Sequence, residues 1–482
     1  MGNLSLSVLS QNEIEQIHQN TLRIFETTGF KVHHPETLSK FKKLGALVDE
    51  QSSTIKLPAK LVKELLEIAP SIIPLGGING NILQAGGDNV YYTSLILDPF
   101  IVDWDDGIRL PNLADVKKNT IIGESLDSVS LMMRMQNPVT DVPGFDSYYR
   151  TMETFLSHMT KHISAYPDNE QNCRDWIDVV QIIAESSNRS AQEPPLLSIA
   201  MAVLSPLAVN GANIEIMKMA MENGFPIVTT VCPMAGSTSP YSIAGTFLQA
   251  NIEALIPILI AQVYKPGFPV FYGVGPSVTN MQTGKDLYYR SEKMFFKIMA
   301  NQMSTFYGLP SSGEAGGSLT HLPDLQNGAE SISFLLASHA WKQNIIGGLG
   351  SFGNANGMSS EQIIMQCGLI DMAKYLSKGV DFTGEKSGVA SIEKTGPGGN
   401  FLMDDLTLAL LRDTEEFFHT PYMDLTGETS DPKSSKSMLA IAHQKVVDVQ
   451  NAYVSRVPGT VLENIKRFFY DKYQDKNVSR LD

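Results

Sequence analysis

Apolar positions over residues 13–73 recur mainly at helical spacing. Ile17, Leu22, Ile24 and Phe25 lie on one face, Gly29 is placed to stop the helix, and residues 57–69 repeat the pattern after Thr54-Ile55-Lys56. This predicts a small N-terminal helical layer within residues 1–85. From residue 86 to 110 the texture changes to short β runs, 89–93 and 100–104, with Asp106-Gly107 as a hairpin turn. That hairpin is expected to close one end of the body that follows.

Beyond Leu113, short apolar strands ending in Gly, Pro or Ser alternate with helical stretches of roughly 15 to 20 residues, which is βα repetition. Strands are expected at 163–166, 196–204, 226–231, 269–274, 309–312 and 344–349, with helices at 213–223, 243–264, 291–307 and 328–342. Seven or eight such units favour an α/β fold of the closed (β/α)8 TIM-barrel type over an open doubly wound sheet. The barrel, with its entry hairpin, is assigned to residues 86–437. Residues 438–482 are assigned to a charged helical extension packed outside it.

Composition narrows the function without naming it. The 482 residues are 43% hydrophobic, enough for a large core, and carry a net charge of −14 with no dense Lys/Arg stretch to follow a phosphate backbone. Nucleic acid is therefore not an expected partner. The first twenty residues lack a basic segment followed by an apolar one, and no run approaches about 18 uninterrupted apolar residues. No membrane association is expected; the apolar stretch 254–263 reads as a buried helix. Cys173, Cys232 and Cys367 are far apart and form no C-x-x-C, so a reducing cytoplasm fits better than a disulfide framework or a thiolate zinc cluster.

In a TIM barrel the residues after each strand carry the chemistry. Here those loops are Tyr166-Pro167-Asp168, Ser205-Pro206, Cys232 to Gly236, Tyr272 to Ser277, Gly313 to Gly317 and Gly347 to Asn356. They hold small residues and glycines but no evident acid–base pair or activated nucleophile. Tight turning explains any one such loop. Several on one rim, with Gly316, Gly348 and Gly350 among them, also suit the close approach of something large and flat, such as a corrin macrocycle. Glu314 is the carboxylate of its loop and is the candidate to face a substrate cation, against the alternatives of capping a helix or pairing with a base. Tyr92, Phe100, Tyr166, Tyr272 and Phe352 could together cage a quaternary ammonium, at about 0.5 to 2 kcal/mol per aromatic face, although core packing explains each taken singly.

His158 and His162 stand at i, i+4 on an expected helix, but no third ligand accompanies them and no metal is expected. His321 follows a candidate loop and is a possible substrate contact, whereas His339 reads as a packed helix residue. Residues 348–353 spell G-x-G-x-x-G after a strand. The next helix starts only near residue 359, too late for the dinucleotide motif.

Pro323-Asp324-x-Gln326-x-Gly328, the block from Ile17-His18 to Leu47-Val48-Asp49, Asp106-Gly107-x-Arg109-x-Pro111 and Gly398-Gly399-x-Phe401-Leu402, taken in chain order, resemble the trimethylamine methyltransferase superfamily. The resemblance runs along most of the chain. It implies a TIM barrel and methyl transfer from a methylated amine to Co(I) of a corrinoid held on a cognate protein. The trimethylamine enzymes carry pyrrolysine, which this sequence lacks. In that respect it is similar to members acting on glycine betaine, proline betaine or carnitine; γ-butyrobetaine is a further possibility of the same kind.

A quaternary nitrogen already bears the charge that makes its methyl transferable, so no protein acid or base is needed and the protein's work is positioning and desolvation. Glycine betaine is the default substrate on prevalence, with Arg290 and Arg150 as candidates for its carboxylate. No D-x-H-x-x-G stretch is present, so the corrinoid is expected on a separate protein, with none held permanently by this chain. Self-association is also open. The competing readings are a catalytically silent quaternary-amine binding protein and a nicotinamide-dependent enzyme using the glycines at 348–353.

Overall fold

A computed structural model describes residues 4–134, 139–144, 146–412, 416–426 and 436–474. Eight parallel strands close into a barrel, each followed by a helix: β1 (Tyr91–Leu95), β2 (Leu131–Arg134), β3 (His162–Ala165), β4 (Leu197–Ala202), β5 (Ile227–Thr230), β6 (Val270–Gly273), β7 (Ser311–Glu314) and β8 (Ile345–Leu349). The helices are α1 (Leu113–Ser125), α2 (Asp146–Leu156), α3 (Glu170–Ser186), α4 (Gly211–Glu222), α5 (Ile243–Tyr264), α6 (Lys293–Tyr307), α7 (Leu325–Ala340) and α8 (Ser360–Ser377). The TIM barrel expected from the βα alternation is therefore present. The six expected strands and four expected helices all appear, with ends shifted by a few residues.

Two expectations need correction. The run at 89–93 does not belong to a hairpin: Tyr91–Leu95 is the first barrel strand, pairing with β8 and β2. Phe100–Asp103 instead pairs with Gly107–Arg109 across the Asp106-Gly107 turn. This ribbon stands at the C-terminal mouth, beside Ser351–Phe352 and Gly357–Met358. The hairpin that closes an end is Ile72–Gly76 with Ile82–Gly86, whose Ile73, Leu75 and Ala85 pack on Leu131, Phe271 and Ile345 under the barrel floor. The N-terminal segment is also less purely helical than its periodicity suggests. Between Gln11–Thr27, Pro35–Lys43 and Ala59–Glu67, the short strands Phe30–Val32, Leu47–Asp49 and Thr54–Lys56 form a sheet with Ala208–Val209.

The motif residues have local physical roles. The Arg109 guanidinium forks onto both Asp115 oxygens at 2.7 Å and reaches Asp103 at 3.0 Å, tying the rim ribbon to the start of α1. Asp324 caps α7 by accepting from the Asn327 N–H at 3.0 Å. Helix α5 is long and apolar enough to cross a membrane by composition, but 72% of its apolar window is buried inside the molecule, where it backs β6. The C-terminal helices Met438–Ala452 and Gly459–Gln474 pack outside, on α8 and α1 and on α2 and α3 respectively.

Candidate active site

The inward positions of the strands set the floor and walls of a cavity at the barrel mouth. Thr93 of β1, Met133 of β2, Thr230 of β5, Ser312 to Glu314 of β7 and Gly347 of β8 line it, with Tyr166, Cys232, Val274, Gly275 and Tyr288 from the following loops. Its volume is about 90 Å³. On the same measure a single water needs roughly 10–15 Å³, so this is room for a small cationic head and not for a macrocycle.

Glu314 ends β7 in the cavity wall. The Tyr289 hydroxyl donates to its Oε2 at 3.0 Å, and Gly347 of β8 stands in van der Waals reach of its Cγ. Tyr288 and Tyr289 are held by Asn354, whose Oδ1 accepts both their backbone N–H groups and whose Nδ2 donates to the Asp286 carbonyl at 2.6 Å. One Asn thus links the loop after β8 to the loop after β6. Asp98, just past β1 and 4% exposed, accepts from Ser351 Oγ at 3.0 Å. Burial, reinforced by the charge of Glu314, pushes its carboxyl up to about 7.

Two lysines one turn apart on α6 complete the electrostatics. Lys293 Nζ sits over the Tyr288 ring, 3.1 Å from its centroid, and 4.5 Å from that of Tyr289. Lys297 Nζ donates to the Val274 carbonyl at 3.2 Å and fills the space that a Cβ on Gly313 would take. Burial pushes both ammonium groups down, Lys297 to about 8, while Glu314 pulls the other way. Burial likewise lifts the Cys232 thiol and the Tyr166 phenol to about 12.

Of the residues nominated from sequence, Glu314 and Tyr166 meet in this cavity. The five-ring cage is not assembled. Tyr92 and Tyr272 point outward into the helix layer, Tyr92 to His339 Nδ1 at 2.8 Å and Tyr272 to Asn251 Oδ1 at 2.7 Å. Phe352 is buried in the small rim sheet, and Phe100 lies in the same sheet, 39% exposed. His321 is exposed on the rim and covers Gly353.

The three nominated glycines face protein. A Cβ on Gly316 would strike the Gly348–Leu349 backbone, one on Gly348 (φ +82°) the Tyr289 hydroxyl, and one on Gly350 the Met358 side chain. Their lack of side chains serves packing between the β7 and β8 loops rather than open access for a flat ligand. Residues 348–353 turn into the Ser351–Phe352 strand, not into a helix, so the dinucleotide context is absent.

Arg290 pairs with Glu292 at 3.2 Å and Arg150 with Glu153 at 3.2 Å, both outside the cavity. His158 follows the end of α2, whereas His162 opens β3 and bonds Gly76 and Ser198, so they share no helix. Among the described residues no cluster of His, Cys, Asp and Glu could hold a metal ion.

Sequence reasoning missed Asp98, Tyr288, Tyr289, Lys293 and Lys297. The available signals were a carboxylate directly after a strand, and two lysines at i, i+4 inside the otherwise apolar run Lys293-Met294-Phe295-Phe296-Lys297-Ile298-Met299.

The comparisons with known proteins agree with this architecture. The chain matches the trimethylamine methyltransferase (MTTB) family over residues 3–475. It is 27% identical to the trimethylamine methyltransferase MttB of Methanosarcina thermophila over 480 residues, covering 97% of each chain. It is 26% identical to the glycine betaine methyltransferase of Desulfitobacterium hafniense over 425 residues, 87% of this chain and 88% of that one. Among solved structures, the monomethylamine methyltransferase of Methanosarcina barkeri superposes with a TM-score of 0.54 at 10% identity, over 96% of this chain and 88% of that one. The barrel, the cavity at its mouth and a match along nearly the whole sequence make this chain a methyltransferase belonging to the trimethylamine methyltransferase (MTTB) family.

Proposed function

We propose that the chain takes a methyl group from a small quaternary amine, glycine betaine as the default, and gives it to the Co(I) corrinoid of a cognate acceptor protein. The observation that carries this reading is the presence of Glu314 together with the rings of Tyr166 and Tyr288 in the lining of a cavity of about 90 Å³. A carboxylate and aromatic rings attract a cation whose charge is spread over methyl groups. Carnitine, γ-butyrobetaine and proline betaine present the same head.

The chemistry balances without a protein acid or base. The N–CH3 bond breaks with its electron pair staying on nitrogen, so the tertiary amine leaves neutral, and the reduced acceptor supplies the pair for the new bond to the methyl carbon. The chain's own residues hold and desolvate the cation: Glu314 opposes its charge, Tyr289 fixes Glu314, and Asn354 fixes Tyr288 and Tyr289. A betaine carboxylate needs a cation in turn. Lys297, standing behind Gly313 and Val274 of the cavity wall, and Lys293, over the Tyr288 ring, are the candidates, in place of Arg290 and Arg150. The cavity takes the amine alone, so the acceptor meets it at the mouth.

The test mixes the purified chain with a reduced corrinoid and a panel of betaines, carnitine and trimethylamine, and follows methylation of the corrinoid by its absorption spectrum. Transfer from at least one quaternary amine is expected. No transfer from any of them defeats the proposal and leaves a silent binding protein, and transfer from trimethylamine alone defeats the argument from the neutral leaving group.

A further inference from the structure

Two carboxyl groups at the barrel mouth are joined by hydroxyls. The Tyr289 hydroxyl lies 3.0 Å from Glu314 Oε2, and Ser351 Oγ lies 3.0 Å from Asp98 Oδ2. The Ser351 hydroxyl also bonds that of Tyr289. The result is a single chain, Asp98–Ser351–Tyr289–Glu314, drawn from the segment after β1, the loops after β8 and β6, and the end of β7. Asp98 is 4% exposed, and Ser351 and Tyr289 are wholly buried.

Counting protons sets the charge of this chain. Its four groups leave three oxygen–oxygen gaps, and each gap takes one proton. Ser351 and Tyr289 supply one each. With both carboxyls ionised, Ser351 donates to Asp98 and Tyr289 donates to Glu314, and the gap between the two hydroxyls is left empty. One more proton completes the chain: Asp98 donates to Ser351, Ser351 to Tyr289 and Tyr289 to Glu314. The single negative charge then stays on Glu314, in the cavity wall.

The surrounding groups favour that placement. Lys293 and Lys297 of α6 act on Glu314. Cys232 and Tyr288 face it too, but burial lifts the thiol to about 12 and the phenol well above its usual range, so both are neutral. Asp286 faces Lys293, Cys232 and Tyr288. Asp98 is raised by burial and then by Glu314, as expected for the member of a carboxyl pair that keeps the proton.

We propose that Asp98 is a positioning residue of the site, sharing one proton with Glu314 through the Ser351 and Tyr289 hydroxyls, and that a cation entering the cavity displaces this proton to solvent. The displacement rests on the reading of the cavity as a cation site. A positive charge beside Glu314 cancels the repulsion between the carboxyls, so Asp98 ionises more easily in the occupied site. The occupied form thus holds fewer protons, and affinity rises with pH through the range in which Asp98 titrates.

Calorimetric titration of the full chain with glycine betaine or tetramethylammonium at pH 6.5, in two buffers of different ionisation enthalpy, tests this. Without an acceptor no methyl moves, so the heat reports binding and proton release alone. Wild type is expected to release a fraction of a proton per cation and to bind on the order of tenfold more tightly at pH 7.5 than at pH 5.5, the change carried by about one unit of carboxyl pKa. Asp98→Asn should release none at pH 6.5 and bind with nearly constant affinity below pH 7, leaving only the contribution of Lys297 near pH 8. Binding by wild type without proton release, or equal release by Asp98→Asn, overturns the proposal. Should Asp98→Asn fail to fold, infrared spectra of the wild type decide: loss of a protonated-carboxyl stretch on adding the cation at pH 6.5 supports the proposal, and an unchanged spectrum with the cation bound overturns it. If neither cation binds, the cation reading and the displacement both fall. The shared proton is then judged separately, by a protonated-carboxyl stretch at pH 6 that is present in wild type and missing from Asp98→Asn; its absence from wild type overturns that part as well.

Discussion

Replacing Asp98 by Asn removes a carboxyl group from a site that is 4% exposed and already faces the charge of Glu314. Its folded-state value is raised from 3.8 to about 7, mainly by burial, and it is not exposed enough for solvent to screen that cost. A raised carboxyl binds its proton more tightly folded than unfolded, so it costs no stability below about pH 4 and an increasing amount as pH rises toward 7. At about 1.36 kcal/mol per unit, the full cost above pH 7 is ~4 kcal/mol. Asn keeps an acceptor for the Ser351 hydroxyl and carries no charge. Asp98→Asn is therefore expected to be more stable than wild type, by about 1.5 kcal/mol at pH 5 and ~4 kcal/mol at pH 8. Urea unfolding of both proteins at pH 5, 6.5 and 8, read from the midpoint at unchanged slope, measures the gap. A gap that stays constant or narrows as pH rises refutes the reasoning.

Glu314→Gln removes the charge opposing the substrate cation. At an effective dielectric of about 20 and a separation of about 5 Å this is about 3 kcal/mol, an approximately 100-fold rise in KM. Because the positive charge fades as the methyl leaves, kcat should not fall, and a lower kcat at unchanged KM would contradict the role given to Glu314. Gly317→Ala would put a Cβ 2.1 Å from the Tyr289 ring; a loss of about 1–3 kcal/mol of stability is expected, with a raised KM because the displaced Tyr289 no longer holds Glu314, and denaturant titration with steady-state kinetics checks both. Lys161 Nζ donates to the carbonyls of Gly123, Leu126 and Val129 at 2.8, 2.7 and 2.6 Å, capping the end of α1. Lys161→Met should lower stability by about 2–4 kcal/mol in urea unfolding while leaving the activity per folded molecule unchanged.

The barrel was legible because six of its strands are apolar runs cut off by Gly, Pro or Ser and followed by long helical patterns. Strand β2, Leu131-Met132-Met133-Arg134, is not legible in the sequence because methionine carries little strand preference. The sequence pattern places the first strand in a hairpin because Asn89 to Thr93 precedes the Asp106-Gly107 turn, and nothing local shows that Tyr91 pairs with Ile345, some 250 residues away. The site was harder for a different reason. Barrel strands are buried on both faces, so their apolar pattern does not say which alternate residues look inward. The sequence points to Tyr92 and Tyr272, but Thr93 and Gly273 occupy the inward parity and the tyrosines bond to helices. Glu314 was legible because a lone carboxylate after a barrel strand has few structural uses. Lys293 and Lys297 reach the site from a helix, which attention to the strand-end loops alone does not cover.

The central claim is the movement of an intact methyl group from a quaternary nitrogen to a corrinoid acceptor. Glycine betaine with trideuterated methyl groups, incubated with this chain and a reduced corrinoid protein, tests it by mass spectrometry of both products. The account predicts that one trideuterated methyl group appears on the acceptor and that an equal amount of dimethylglycine retains the other two. Unlabelled acceptor with unchanged betaine, repeated across the other quaternary amines, would contradict it.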